Sequence, residues 1–272
     1  MLIKVGCEIV LHFPQPTATI LMLYLHPSVA PRVRHAERVE LEPWAAIARY
    51  TDLYGNTCGR TVVPAGRVAF RHHAIVYDEG HPEPQEWTAR QHPVEDLPDS
   101  SLIYLLGSRY CEVDSELKDI AWSLFSTMTP GWPLVQAICD FVHRHIHFDY
   151  QQARPNRTAL EVYRERTGVC RDFMHLAITF CRCLNIPARY CTGYISDVNM
   201  PPPYGPMDFA AWFEVYLEGG WYMFDARNNK PMYGRVLMAR GRDAADVAMI
   251  TSFGPNELRN FTVICDELPI SA

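Results

Sequence analysis

Nowhere does the chain carry an apolar run approaching the roughly 18 residues that a helix needs to cross a bilayer, so no membrane partner is expected. The amino terminus, MLIKVGCEIVLHF, has one lysine and is broken by Glu8 and His12, and it lacks the basic, apolar, small-residue order of a secretory signal. Positive charge is not in excess either: 25 Lys and Arg stand against 31 Asp and Glu, a formal net charge of -6. A nucleic-acid surface neutralises phosphates with a basic patch, so nucleic acid is not an expected partner. The nine cysteines are odd in number and scattered, unlike the paired spacing of a secreted disulfide scaffold, which points to reduced thiols and a cytoplasmic location. Cys181, Cys183 and Cys191 match no usual zinc spacing, and no metal site is expected; small buried hydrophobes are the reading given to them. Internal repeats and low-complexity tracts are missing too.

What the chain has is 48% hydrophobic residues over 272 positions, enough for two unequal domains with a core each. From Leu2 to about Phe70, short apolar runs such as IVLHF and TILMLYL alternate with Pro, Gly, Asn and Asp and read as strands joined by turns. TDLYGNTCGRTVV and RVAFRHHAIVYD extend the same meander. The stretch from Glu79 to Asp99 is rich in proline and charge and reads as a linker. It divides an N-terminal β-rich domain, 1-95, from a core domain, 96-272. In the core, SSLIYLLGSRY, SELKDIAWSLFSTM, GWPLVQAICDFVHRHIHFDY, LEVYRER and VCRDFMHLAITFCRCLNI place apolar residues three and four apart, the helical spacing. ARYCTGYIS, AAWFEVYL, WYMFDA and FTVICDEL read as strands, with Gly219-Gly220 as the hairpin turn between the second and third. The expected class is α+β, with an N-terminal antiparallel β-domain.

In Gly168-Val169-Cys170-Arg171-Asp172 a turn feeds a helix that starts at or beside Cys170. Unpaired N–H groups and the positive end of the helix dipole favour a thiolate there, and Arg171 adds a cation. The same N–H groups could donate to an oxyanion during acyl transfer through a thioester. A buried structural cysteine satisfies the same pattern. In the hairpin, the strand period of two puts Ala210, Trp212, Glu214 and Tyr216 on one face, and an even-membered turn adds Asp225 to it. An acid on an aromatic face needs a partner or a task. Backbone donors in the following turn are one way to satisfy it.

TGVCRDFMHLAITFCRCLNIPARYCTGYI and DFAAWFEVYLEGGWYMFDARNN resemble the nucleophile segment and the histidine-aspartate hairpin of bacterial transglutaminase-like proteins, a group often described as cysteine proteases. The likeness covers roughly residues 105 to 272, and the β-rich start is similar to the region that often precedes this core. The resemblance implies a papain-like core with a nucleophile helix packed on an antiparallel sheet, no cofactor, and a peptide or protein as substrate or ligand. Cys170 takes the nucleophile position and Asp225 that of the orienting carboxylate. The histidine should stand two residues before Trp212, but the residue there is Ala210, whose methyl group moves no proton. Two functions follow as expectations. One is a cysteine protease, amidase or acyltransferase acting on peptide or glutamine-type amides through a Cys170 thioester. The other is a catalytically impaired domain serving as a binding or scaffold module.

Other histidines are poor substitutes. His175 lies about 140° around and about 7.5 Å along the helix from Cys170 and should face elsewhere. His143, His145 and His147 imitate a metal cluster, but only His143 and His147 share a helical face, and cations at a helix end complement its dipole. His72 and His73 point to opposite faces of a strand. Arg240, Arg242 and Asp243 read as a local ion-pair cluster. Tyr150 and Gln151 are candidates for a donor at the oxyanion position, and Phe209, Trp212 and Trp221 for walls of a cleft.

Overall fold

The protein is described from a computed structural model covering residues 1–196 and 207–268. Six strands open the chain: β1 (Leu2–Phe13), β2 (Thr17–Leu21), β3 (Val33–Glu42), β4 (Ala48–Thr51), β5 (Thr57–Val63) and β6 (Gly66–Tyr77). Helices follow, α1 (Asp99–Leu102), α2 (Leu117–Phe125), α3 (Trp132–His145), α4 (Ala159–Glu165) and α5 (Cys170–Cys183), with a short parallel pair, β7 (His147–Phe148) and β8 (Thr167–Gly168), on either side of α4. Six more strands complete the fold: β9 (Ala188–Tyr194), β10 (Ala210–Leu217), β11 (Gly220–Phe224), β12 (Val236–Gly241), β13 (Ile250–Ser252) and β14 (Glu257–Leu268). They form three antiparallel four-stranded sheets, ordered β14-β1-β6-β3, β13-β2-β5-β4 and β11-β10-β9-β12. The class is α+β, with the β-rich region at the N-terminus.

The last sheet is the centre of the molecule. One face carries Ala211, Phe213, Val215 and Phe224 and packs with α5 and its neighbours in one apolar core. The other carries Trp212, Cys191 and Tyr194 and joins Ile3, Val5, Val68 and Phe70 of the N-terminal strands in a second core. Because β10 alternates strictly, a single strand feeds both cores. Helix α5 is buried on nearly every side because α2, α3 and α4 cover what the sheet leaves open, and its polar residues Asp172, His175, Thr179 and Arg182 are buried with it.

Several expectations are corrected. TILMLYL is a strand only as far as Leu21. β3 adds an edge strand beyond the runs named for this region: Val39 and Leu41 alternate with Arg38, Glu40 and Glu42, and Leu41 is its one buried residue. SSLIYLLGSRY yields only the short α1 and a single 3-10 turn, Ile103–Leu105. The division at residue 95 follows the linker but not the sheets: β13 pairs with β2, and β14 pairs with β1 along its whole length. Residues 96-272 therefore include two strands that hydrogen-bond into the N-terminal sheets, a pairing across the full chain that local patterns do not announce.

Arg182 ties helix to sheet from inside. It is 3% exposed and donates to the carbonyls of Leu106, Ala188 and Arg242 and to Ser108 Oγ. Removing the guanidinium strands several buried acceptors at once. Arg182→Met is expected to cost about 3 kcal/mol or more, read as a lower midpoint in urea denaturation with an unchanged slope.

Candidate functional site

The start of α5 is built by a capping carboxylate. Asp172 is fully buried, and its Oδ2 accepts from the Val169 N–H at 2.9 Å and from Arg157 Nη1 at 3.1 Å. This bond turns the chain sharply at Gly168, where an added Cβ would lie 2.6 Å from Asp172 Oδ2. Glycine is therefore required, and Cys170 becomes the first residue of the helix. Its side chain is partly exposed and lines a cavity of about 250 Å³ with Tyr150, Asp208, Phe209, Ala210, Arg227 and Asn228 among the walls.

Burial pushes the Cys170 thiol up to about 11, and the Asp208 carboxylate adds to the rise. Arg227 and the Arg171 N–H, which donates to the sulfur, offset only part of it. The cation that faces the thiol is thus Arg227 rather than the expected Arg171. The Arg171 guanidinium turns away to the Arg154 carbonyl, with Asp172 at 3.6 Å and the Tyr110 ring at 5.7 Å.

Across the hairpin, Phe213 pairs with Phe224, so Trp212 and Asp225 take the next opposed positions and share a face with Ala210. The parity read from the sequence holds. Asp225 is filled by four donors: its Oδ1 accepts from the N–H groups of Arg227 and Asn228 at 2.9 Å each, and its Oδ2 from Asn228 Nδ2 and Arg235 Nη2 at 2.7 Å each. Burial alone would raise this carboxyl, but Arg235 overrides it and holds Asp225 below the ordinary carboxylate range.

The remaining candidates scatter. Tyr150 and Phe209 line the Cys170 cavity; Gln151 is exposed and outside it. Trp212 is buried in a different cavity, and Trp221 packs against Tyr216 and under the Arg189 guanidinium. His175 is buried, stacked on Tyr110, and accepts from the Ala244 N–H, so it does face elsewhere. His147 has left the helix for β7, while His143 and His145 bond to the carbonyls of Arg227 and Tyr163. Among the described residues no group of three or more His, Cys, Asp or Glu side chains is placed to hold a metal ion, and no helix is long and apolar enough to cross a membrane. Arg242 pairs with Asp246, Arg240 with Glu214, and Asp243 caps the turn that follows it.

Asp208, Arg227, Asn228 and Arg235 were missed. The first three flank Ala210 and Asp225 within the hairpin segment, so proximity to the motif was the available signal. Arg235 has none, being ten residues past its partner.

The profile of the transglutaminase-like superfamily matches residues 120–226, spanning α2 to the end of β11. A crystal structure from Cytophaga hutchinsonii, described as "a Putative Cysteine Protease", is 30% identical and superposes with a TM-score of 0.85 over all of this chain and 92% of that one. The chain belongs to the transglutaminase-like superfamily. Uncharacterized mycobacterial relatives of this transglutaminase-like chain include one from Mycobacterium tuberculosis, 33% identical over 43% of this chain and 41% of its own length. Another, from Mycobacterium leprae, is 30% identical over 34% of this chain and 33% of its own. The match therefore spans well under half of either mycobacterial protein.

Asp225 also gives a stability test. A carboxylate held low in the folded state stabilises fully above about pH 4, and the gain disappears as pH falls through the lowered value. Asp225→Asn is expected to cost about 3 kcal/mol at neutral pH by leaving Arg235 short of a charged partner. In urea titrations the gap between variant and parent should close as the pH is taken below about 4.

Proposed function

We propose that this transglutaminase-like chain holds an acyl or peptide segment in the Cys170 cleft without turning it over, serving as a binding module on a papain-like frame. The observation that carries the reading is Ala210: the position that should face the thiol with an imidazole presents a methyl group, and no histidine lines the cavity among the described residues. A thiol near pKa 11 is ionised in roughly one molecule in ten thousand at pH 7. No imidazole stands among the described residues of the cleft to take its proton and return it to a leaving amine, and the acid that is there, Asp208, raises the thiol rather than helping it to ionise. Tyr150 and Phe209 offer aromatic walls, and Arg227 and Asn228 offer donors for a carbonyl oxygen, which suits a peptide or a glutamine-type amide.

A working cysteine protease, amidase or acyltransferase is the second reading. In its favour are the partly exposed Cys170 at a helix start, the Arg171 N–H donated to its sulfur, and the likeness to the Cytophaga hutchinsonii protein. Against it stands the missing imidazole at position 210.

Alkylation by iodoacetamide as a function of pH separates the two. The binding reading expects a single ionisation of Cys170 near 11. A midpoint below about 6, with turnover abolished by Cys170→Ser, would establish the enzyme instead. The cleft lacks an imidazole, while Asp225 is held ionised on the face of residue 210. Ala210→His is therefore expected to lower the alkylation midpoint by about two units or more and to allow an acyl-enzyme from an activated ester, detected by intact mass.

A further inference from the structure

A larger cavity, about 590 Å³, opens on the other flank of Arg235, where the central sheet meets the segment from Tyr77 to Pro84. Its body is apolar, with Val29, Pro82, Met223, Met232 and Leu237 in the walls. Trp212 and Arg240 enter it from the sheet: both stand in register with Cys191, on β10 and β12 to either side of β9. The Arg235 guanidinium lies 5.0 Å from the centre of the Trp212 ring.

The polar atoms of this cavity are incompletely bonded in one direction only. Eight buried side-chain N or O atoms among the described residues have no hydrogen-bond partner, and three of the eight belong to residues lining this cavity: Trp212 Nε1, Arg235 Nη1 and Arg240 Nε. All three are donors. The Trp212 residue is 1% exposed and the Arg235 side chain 4%. Buried donors without acceptors are costly, and an unpaired group of this kind in a folded protein calls for a ligand or ordered water. The lining acids do not supply the acceptor. Glu83 bonds Arg235 Nε, Glu214 is held between Arg189 and Arg240 Nη2, and Asp78 is paired with Arg32. Arginine does not lose its proton, so the demand for an acceptor persists at every working pH.

We propose that this cavity binds a small monocarboxylate with an apolar body, its oxygens accepting from Trp212, Arg235 and Arg240 and its hydrocarbon lying against the methionine and leucine walls. A dianion such as phosphate is disfavoured, because Asp78, Glu79, Glu83 and Glu214 all line the cavity. The site is independent of Cys170 and of the function proposed for the cleft.

Calorimetric titration of the full chain with 4-phenylbutyrate and decanoate tests this, with 4-phenylbutyramide, decanamide and inorganic phosphate as comparisons. Saturable binding of a carboxylate is expected, with its amide and phosphate at least about ten-fold weaker, as loss of a charge-assisted hydrogen bond would give. Trp212→Phe keeps the ring and loses the N–H, and Arg240→Lys keeps the charge and loses Nε; each should weaken binding about ten-fold. Cys170→Ser should bind as the parent does, which separates this site from the thiol cleft. Should Trp212→Phe fail to fold, Arg240→Lys and the amide comparison still decide. The proposal is overturned if no carboxylate saturates the protein at millimolar concentration, leaving the cavity to water alone. It is equally overturned if amide and carboxylate bind alike, or if the folded variants keep parental affinity.

Discussion

A carboxylate can be buried beside a guanidinium only where both are held by further hydrogen bonds, since desolvation otherwise outweighs their attraction. Asp225 meets that condition with four donors, and much of the molecule is arranged to supply them. The turn after β11 curls so that the N–H groups of Arg227 and Asn228 reach Oδ1. The start of β12 is drawn in by Arg235, whose other arm reaches back to Glu83 in the linker. One ion pair thus joins the ends of β11 and β12, the two edge strands of the central sheet, to the segment leading from the N-terminal strands. It also sets the thiol's surroundings, because the turn that feeds Asp225 is the one that carries Arg227 to the Cys170 cavity.

The two faces of the central sheet have different requirements. Under α5 the face is apolar, and ordinary close packing suffices. On the other face Trp212, Glu214 and Asp225 lie among aliphatic residues of the N-terminal strands, and each charge there is matched by an arginine from elsewhere in the chain: Glu214 by Arg189 and Arg240, Asp225 by Arg235. Around the cavity lined by Trp212, Arg235 and Arg240 the matching is incomplete. There the surplus is of donors, because a guanidinium brings five N–H groups to a carboxylate that needs fewer.

How much of this could be read beforehand depended on the range of the interaction. Cys170 at the first residue of α5 follows from a glycine turn and a buried Asp at the third helical position, all within five residues. The placing of Ala210, Trp212 and Asp225 on one face follows from strand alternation and an even-membered turn, although the turn is Glu218-Gly219, one residue before the expected Gly219-Gly220, with Gly220 already paired to Leu217. Both were legible. Arg171 was assigned to the thiol on adjacency, yet successive helical residues point about 100° apart, and its guanidinium went to Arg154 instead. The pairing of β14 with β1 and of Arg235 with Asp225 and Glu83 leaves no local pattern, because the partners are set by how the sheets stack. β3 left a weaker signal: in its second half only Val39 and Leu41 alternate with charged residues, and Leu41 alone is buried.

These constraints bear differently on the residues around the cleft. Position 210 lies at the end of β10, and a methyl group there leaves no charge unpaired and no donor stranded, so folding does not resist the change. Asp225 cannot be given up so cheaply, because Arg235 would be left short of a partner in the interior. Asp172 is held likewise by the start of α5, and Gly168 by Asp172. Around the cleft, Asp225, Asp172 and Gly168 are thus tied to the packing of the fold, while the methyl group of Ala210 is not. A carboxylate in the family's position is explained here by the ion pair it makes, and its presence alone does not argue for catalysis; the proton-transfer group is the one whose identity decides.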